Sequence, residues 1–290
     1  MKKITTIFAI TLLILGSSKL VKSQESEQIS VQLSDPAKPG SLDIDLVFGS
    51  IKVISYAGKE VIINATTGSN KKEKNHNSNI NINTNININD KGNGNSNGMR
   101  KLSSTGGFEL NVSQKNNKVD VNVDRPNVAV NLVVKVPQKF SLNLSTVNSG
   151  DISVENVDGN HEIRNVNGGI NMTGIDGSVV ANTVNGPLVV TLNSVTNSTP
   201  MAFSTVNGVV DVTFPSNFKA NVKLSSTFGD ILTDFDIEEN RETKVKTSSD
   251  KEKGMYKISK DDFIQGKING GGPELMMKSL NGKILLRKKK

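Results

Sequence analysis

A four-residue unit, Thr-Val-Asn-Gly, returns through the second half of the chain, each time followed by a short run of alternating apolar residues. It stands as Thr146-Val147-Asn148-Ser149-Gly150, Asn165-Val166-Asn167-Gly168, Thr183-Val184-Asn185-Gly186 and Thr205-Val206-Asn207-Gly208. Ser226-Thr227-Phe228-Gly229 and Ser279-Leu280-Asn281-Gly282 are degenerate copies. Val157-Asp158-Gly159 and Ile175-Asp176-Gly177 lie half-way between the first ones. The asparagines at 148, 167, 185 and 207 are 19, 18 and 22 residues apart.

Asn-Gly and Asp-Gly tolerate positive φ, so each unit is expected to turn the chain sharply. The runs that follow alternate: Ile152 and Val154; Ile170 and Met172; Leu188, Val190 and Leu192; Val210, Val212 and Phe214. A period of two puts these on one face of a strand, and β-branched residues suit that state. An antiparallel sandwich would use Asn-Gly as hairpin turns. A solenoid would stack equivalent strands in parallel, one rung per repeat. The double-length register favours the solenoid, because a hairpin array has no reason to keep it. The expectation is an all-β, single-stranded parallel β-solenoid (β-helix) with about 18–22 residues per rung. Its turn ladder would comprise Asn148, Gly150, Asp158, Gly159, Asn167, Gly168, Asp176, Gly177, Asn185, Gly186, Asn207, Gly208, Gly229, Asn281 and Gly282.

The N-terminus reads as an export signal. Lys2 and Lys3 precede the apolar run Ile4 to Leu15, and small residues follow up to Ser23. Twelve apolar residues are too few to cross a bilayer, which takes about 20 as helix. Cleavage is expected after Ser23 or after Ser18, with no membrane span left afterwards. Residues 24–68 would hold the first solenoid strands, 69–100 an Asn-rich low-complexity insert, and 101–290 the repeat domain. Within the last, 236–260 is a charged excursion, and residues 287–290 form a basic tail.

The insert has 11 Asn among residues 75–97, with Ile80, Ile82, Ile86 and Ile88 alternating at its centre. This composition suits an exposed loop or hairpin, or a self-associating arm. The net charge of +7 invites a nucleic-acid reading. The excess lies in the leader and the final four residues, however, and the body between is nearly neutral. No nucleic-acid partner is expected; the tail reads as a solvated terminus.

Several stretches in fixed order resemble a known family. They are Gly49-Ser50-Ile51, Val134-Lys135-Val136-Pro137, the Thr-Val-Asn-Gly ladder, Val210 to Pro215, Ile231 to Phe235, and Gly270-Gly271-Gly272-Pro273 with Leu280 to Ile284. Over most of residues 40–288 the chain resembles a bacterial β-strand-repeat family labelled "putative adhesin". The resemblance implies a right-handed β-solenoid in a cell-envelope setting, and it supplies no catalytic residues.

The residues themselves offer little chemistry. The chain has no Cys and two His, which excludes disulfides, thiol nucleophiles and cysteine–metal sites. No phosphate-binding, dinucleotide or G-x-S-x-G motif occurs. The position after each ladder glycine (Asp151, Gly169, Pro187, Val209, Asp230, Lys283) is chemically mixed, so no carboxylate cluster follows. Asp158 and Asp176 would stack one rung apart, as turn residues. His161, beside Glu162 and Arg164, reads as part of a surface loop. Stacked Asn amides would bond along the axis, or face water as a glycan-facing ladder. The expected function is an exported, non-enzymatic, adhesin-like protein without cofactor or metal, in the periplasm, on the cell surface or secreted. Its partner would be an envelope or surface ligand, glycan or protein. The alternatives are a β-helix carbohydrate-active enzyme and a self-assembling envelope scaffold or envelope-stress accessory protein.

Overall fold

A computed structural model describes residues 26–67, 108–124, 128–196, 198–240, 245–250, 255–260 and 263–290. The leader (1–23) and the Asn-rich insert (69–100) lie outside the described residues. The described chain is all β. It opens with β1 (Ser26–Gln32), β2 (Gly40–Phe48), β3 (Ile51–Tyr56) and β4 (Glu60–Thr67). Next come β5 (Glu109–Lys115), β6 (Lys118–Asp124), β7 (Val130–Pro137), β8 (Phe140–Asn148) and β9 (Ile152–Glu155). The repeat continues as β10 (Asp158–Asn167), β11 (Ile170–Asn185), β12 (Leu188–Val195), β13 (Met201–Asn207), β14 (Val210–Phe214), β15 (Ala220–Ser226) and β16 (Ile231–Thr233). The C-terminal part adds β17 (Ile237–Asn240), β18 (Val245–Asp250), β19 (Met255–Lys260), β20 (Ile264–Ile268), β21 (Glu274–Asn281) and β22 (Ile284–Lys288).

Twenty of these strands form one sheet, nearly closed like a barrel around a shared core. One half of the sheet runs β5-β6-β2-β8-β10-β11-β13-β21-β15-β20-β17. The other runs β1-β4-β7-β3-β9-β11-β12-β14-β22-β16. The 16-residue β11 belongs to both. A strand in one half, a Thr-Val-Asn-Gly corner and a strand in the other half together make one rung.

Like stacks on like. Ile44, Leu144, Ile163, Ala181, Phe203, Met277 and Leu224 form one continuous inward column. Ile51, Ile152, Ile170, Leu188, Val210 and Ile284 form its counterpart across the core. All are buried, and each, the smaller Ala181 excepted, contributes about 1.5–3 kcal/mol relative to exposure. With so few aromatics, branched aliphatics fill most of the core. The exception is one edge-and-stack cluster: Phe203 lies edge-on to Phe214 at 6.2 Å, and Phe214 stacks on Phe218 at 4.1 Å.

The expectation of a single parallel solenoid needs correction. The middle rungs pair in parallel, but β1–β4, β4–β7, β5–β6, β15–β20 and β17–β20 pair antiparallel, so the sheet is of mixed orientation. The rungs also leave sequence order at both ends. The β2–β3 rung lies between the β6–β7 and β8–β9 rungs. The β21–β22 rung is last in sequence, yet it lies between β13–β14 and β15–β16. The physical reason lies in the connections: at three of the four sheet edges a strand (β1, β5 or β17) turns back on its neighbour, which makes it antiparallel, whereas β16 remains a parallel edge paired with β22 alone. The basic tail is corrected too. Arg287 and Lys288 belong to β22, and the guanidinium of Arg287 donates to both carboxylate oxygens of Asp211, at 2.7 and 3.1 Å.

The ladder glycines serve a different purpose from the one expected. Gly150, Gly168, Gly186, Gly208 and Gly282 do not have positive φ; among the ladder glycines Gly177 does. A β-carbon on Gly168 would lie 2.1 Å from the Gly150 carbonyl oxygen, and one on Gly186 2.2 Å from that of Gly168. Glycine is required because successive corners nearly touch. At the adjacent Gly169 the nearest atom would be a Pro187 side-chain carbon at 3.3 Å. Gly168→Ala should therefore lower stability by about 2–4 kcal/mol. Gly169→Ala should stay within about 1 kcal/mol of the parent. Urea unfolding of the pair reads the difference, and equal effects would contradict this account of the corner.

Candidate functional site

Two surfaces carry regular polar chemistry. The first is the corner itself. Thr146, Thr183, Thr205 and Ser279 are buried, and their hydroxyls donate to the carbonyls of Gly49, Gly168, Gly186 and Gly208 at 2.8–3.1 Å. In the one rung with Asn at this position, the Asn165 amide reaches the carbonyls of both Gly150 and Gly169. The next residue points outward, leaving Val147, Val184, Val206 and Leu280 as an exposed aliphatic line. The asparagine column follows. Asn167 donates to Asn148 (3.0 Å), Asn185 to Asn167 (2.8 Å), Asn207 to Asn185 (2.7 Å) and Asn281 to Asn207 (2.7 Å). These amides lie at the surface, so they are bonded along the stack and wet at once. Asp158 pairs with Asp176 and Gly159 with Gly177 in register on adjacent strands, at the opposite corner. Gly229 completes the glycine column against Gly282. Its neighbour Asp230 makes an ion pair with Lys283 at 3.4 Å.

The second surface is a groove of about 500 Å³ on the outer face of the first half-sheet. Its floor exists because outward residues alternate with buried ones. Ser41 and Asp43 flank Leu42, Ser141 and Asn143 flank Leu142, Asn160 and Glu162 flank His161, and Ser178 and Val180 flank Val179. Parallel register sets these four pairs side by side, giving a column of hydroxyls and amides next to a column of Asp43, Asn143 and Glu162. The Asn143 amide donates to Asp43 (3.1 Å), and Ser178 donates to Asn160 (2.7 Å). Lys118 closes one end, 2.6 Å from Asp120 and 3.4 Å from Asp43. The hydrogen bond it donates to Asp120 raises its pKa above the ordinary lysine value. Thr199 and Pro200 line the other end, and Glu162 pairs with Arg164 on the same strand. Asp43 and Glu162 stand two strand spacings apart, roughly 10 Å, with Asn143 between them. Among the described residues no group of three or more His, Asp or Glu side chains gathers to hold a metal ion.

Neither Asp43 nor Lys118 stands out in the sequence, because the residues they meet lie far along the chain. The phase of the alternation could have found them, since Leu42-Asp43-Ile44 repeats as Leu142-Asn143-Leu144.

His161 does not sit in a surface loop. It occupies β10 in the inward column of Leu142 and Val179, 3% exposed, and its ring nitrogens meet only the backbone of Asp176 and Val157, without a well-formed hydrogen bond. The alternation of β10 places it inside, where its neighbours in the column are aliphatic. Burial pushes its pKa down to about 4, with the backbone of Asp176 and Val157 opposing that only in part.

No family model and no curated protein matches the chain. Two solved structures are similar to it. One is a "putative cell adhesion protein" from Clostridium sporogenes, 10% identical, covering 92% of this chain and all of the other, with a TM-score of 0.44. The second is a "putative adhesin" from Bacteroides fragilis, 12% identical, covering 92% of this chain and 98% of the other, with a TM-score of 0.31.

The buried His161 sets a pH dependence. Its folded pKa lies below the unfolded value of 6.5, so the unfolded chain takes up the proton first as pH falls. Stability from this residue is complete above about pH 6.5 and declines toward pH 4, by roughly 3 kcal/mol in all. His161→Val, which copies Val179 in the same column, should flatten the urea-midpoint profile across that window. An unchanged profile would refute the assignment.

Proposed function

We propose that the chain is an exported, non-enzymatic, adhesin-like protein of the cell envelope or surface, and that the outer groove holds an extended, uncharged polar polymer such as a glycan. The carrying observation is the groove itself: hydroxyls, amides and two carboxylates set in register across four parallel strands. Carboxylate and amide side chains are natural partners for sugar hydroxyls. The single Lys118 is engaged by Asp120 and Asp43, so a polyanion gains little there. Among the described residues no Phe, Tyr or Trp lines the groove. Each sugar would therefore bind weakly, and strength would come from occupying several rungs together. Export rests on the basic–apolar–small pattern of residues 1–23. No helix among the described residues is long and apolar enough to cross a membrane.

A second reading, glycoside cleavage, draws on Asp43 and Glu162, whose spacing approaches that of an inverting carboxylate pair. Against it, both carboxylates are already ion-paired, Asp43 with Lys118 and Glu162 with Arg164, which leaves neither free to face a leaving group.

Asp43→Ala with Asn143→Ala should weaken binding of the purified protein to envelope polysaccharide at least about tenfold, while the thermal midpoint stays near that of the parent. Binding to no envelope fraction, or equal binding by the variant, would overturn the groove assignment. Release of reducing sugar that disappears in Glu162→Gln would instead establish the enzymatic reading. Export has its own test: the protein in an extracytoplasmic fraction should lack the leader, and intact Met1 on cytosolic protein would refute it.

A further inference from the structure

The placement of the last rung leads to an inference independent of the groove. Strands β21 and β22 end the sequence, yet they fill a slot inside the stack, bordered on both sides by strands laid down earlier. β21 pairs in parallel with β13 on one side and β15 on the other; β22 pairs likewise with β14 and β16. Its corner obeys the rule of every other corner. Asn281 donates to Asn207 (2.7 Å), Ser279 to the Gly208 carbonyl (3.1 Å), and Ser226 of the far rung to the Gly282 carbonyl (2.8 Å). The slot is thus specified by backbone ladders and corner contacts that an identical segment from another copy would satisfy equally.

The connection allows such an exchange. β20 pairs antiparallel with the outer edge of β15 and β21 with its inner edge, so the two straddle it. The Gly270–Pro273 strap passes from one side to the other over the start of β15, where Asn221 donates its backbone N–H to the Pro273 carbonyl at 3.0 Å. Before β20, the hairpin β18–β19 forms a two-stranded sheet of its own and does not join the main one. The inserted rung at the other end differs: β3 and β4, which straddle β7, are joined by residues 57–59 alone. The rung of β21 and β22 is the one reached through a long excursion, the β18–β19 hairpin, rather than a three-residue link.

We propose that β20–β22 form an exchangeable donor and that copies of this chain associate by placing the last rung of one in the slot of another. Reciprocal exchange gives a dimer, and one-way exchange gives a filament.

The test uses the full chain, unfolded and refolded with a fluorescent peptide spanning residues 263–290. The peptide should be retained after dilution, in a ratio approaching one per chain. A peptide carrying Gly282→Val should be retained at least about tenfold less, because a β-carbon there would lie 1.8 Å from the Gly208 carbonyl oxygen. Refolding the chain alone at rising concentration should give dimers or larger species that persist on dilution. Failure to retain the peptide, equal retention of both peptides, or monomers alone at every refolding concentration would each overturn the proposal.

Discussion

The distance of closest approach between successive corners governs the stack. Parallel strands sit about 4.8 Å apart, and the Thr-Val-Asn-Gly corner is built so that the backbone can keep that spacing while it turns. Each residue of the unit has one task. The hydroxyl bonds the glycine carbonyl of the neighbouring rung, the asparagine bonds its own counterpart, and the glycine leaves the room that both need. An alanine at the last position would push two rungs apart and stretch the other two contacts with it. The aliphatic columns inside tolerate variation because an ill-fitting side chain can be answered across the core, as where Ala181 faces the bulk of Phe203 along its column. The corner has no such freedom, which is why the motif repeats more faithfully than the strands it joins.

That division explains what could be seen in the sequence. The rung length, the inward residues of β9, β12, β14 and the start of β11, and the asparagine column follow from the repeat, since a period of two set against a double-length unit leaves one consistent register. The glycines were located correctly but for the wrong physical reason: a turn was expected to need positive φ, whereas the constraint comes from the neighbouring rung. His161 was misplaced because a charged neighbourhood, Glu162 and Arg164, outweighed the strict alternation that puts position 161 beside Leu142 and Val179. The ends were not legible. Nothing in Leu275 to Leu286 distinguishes a terminal rung from an internal one, because the same corner contacts serve both.

The groove shows the cost of long separations in sequence. Asp43, Asn143 and Glu162 become neighbours only when the β2–β3 rung inserts beside β8, so the site depends on the N-terminal departure from sequence order. Had the rungs stacked in order, β8 would have met β6–β7 and placed Asp120 where Asp43 now lies, at the position that pairs with it on β6. A carboxylate would still face Asn143, but Lys118 would be its near neighbour on the same strand, and the groove would begin one rung sooner. Insertion therefore adds a full rung of hydroxyl and carboxylate to the floor.

The same insertion sets how rigid that floor can be. The rung carrying Ser41 and Asp43 is paired on both edges, and β3 and β4 straddle β7 immediately behind it. Opening it requires breaking ladders on two sides, which places the groove among the most protected parts of the sheet. The short link between β3 and β4 holds that end closed, while the strap at Gly270–Pro273 and the self-contained β18–β19 hairpin leave the other end able to come undone.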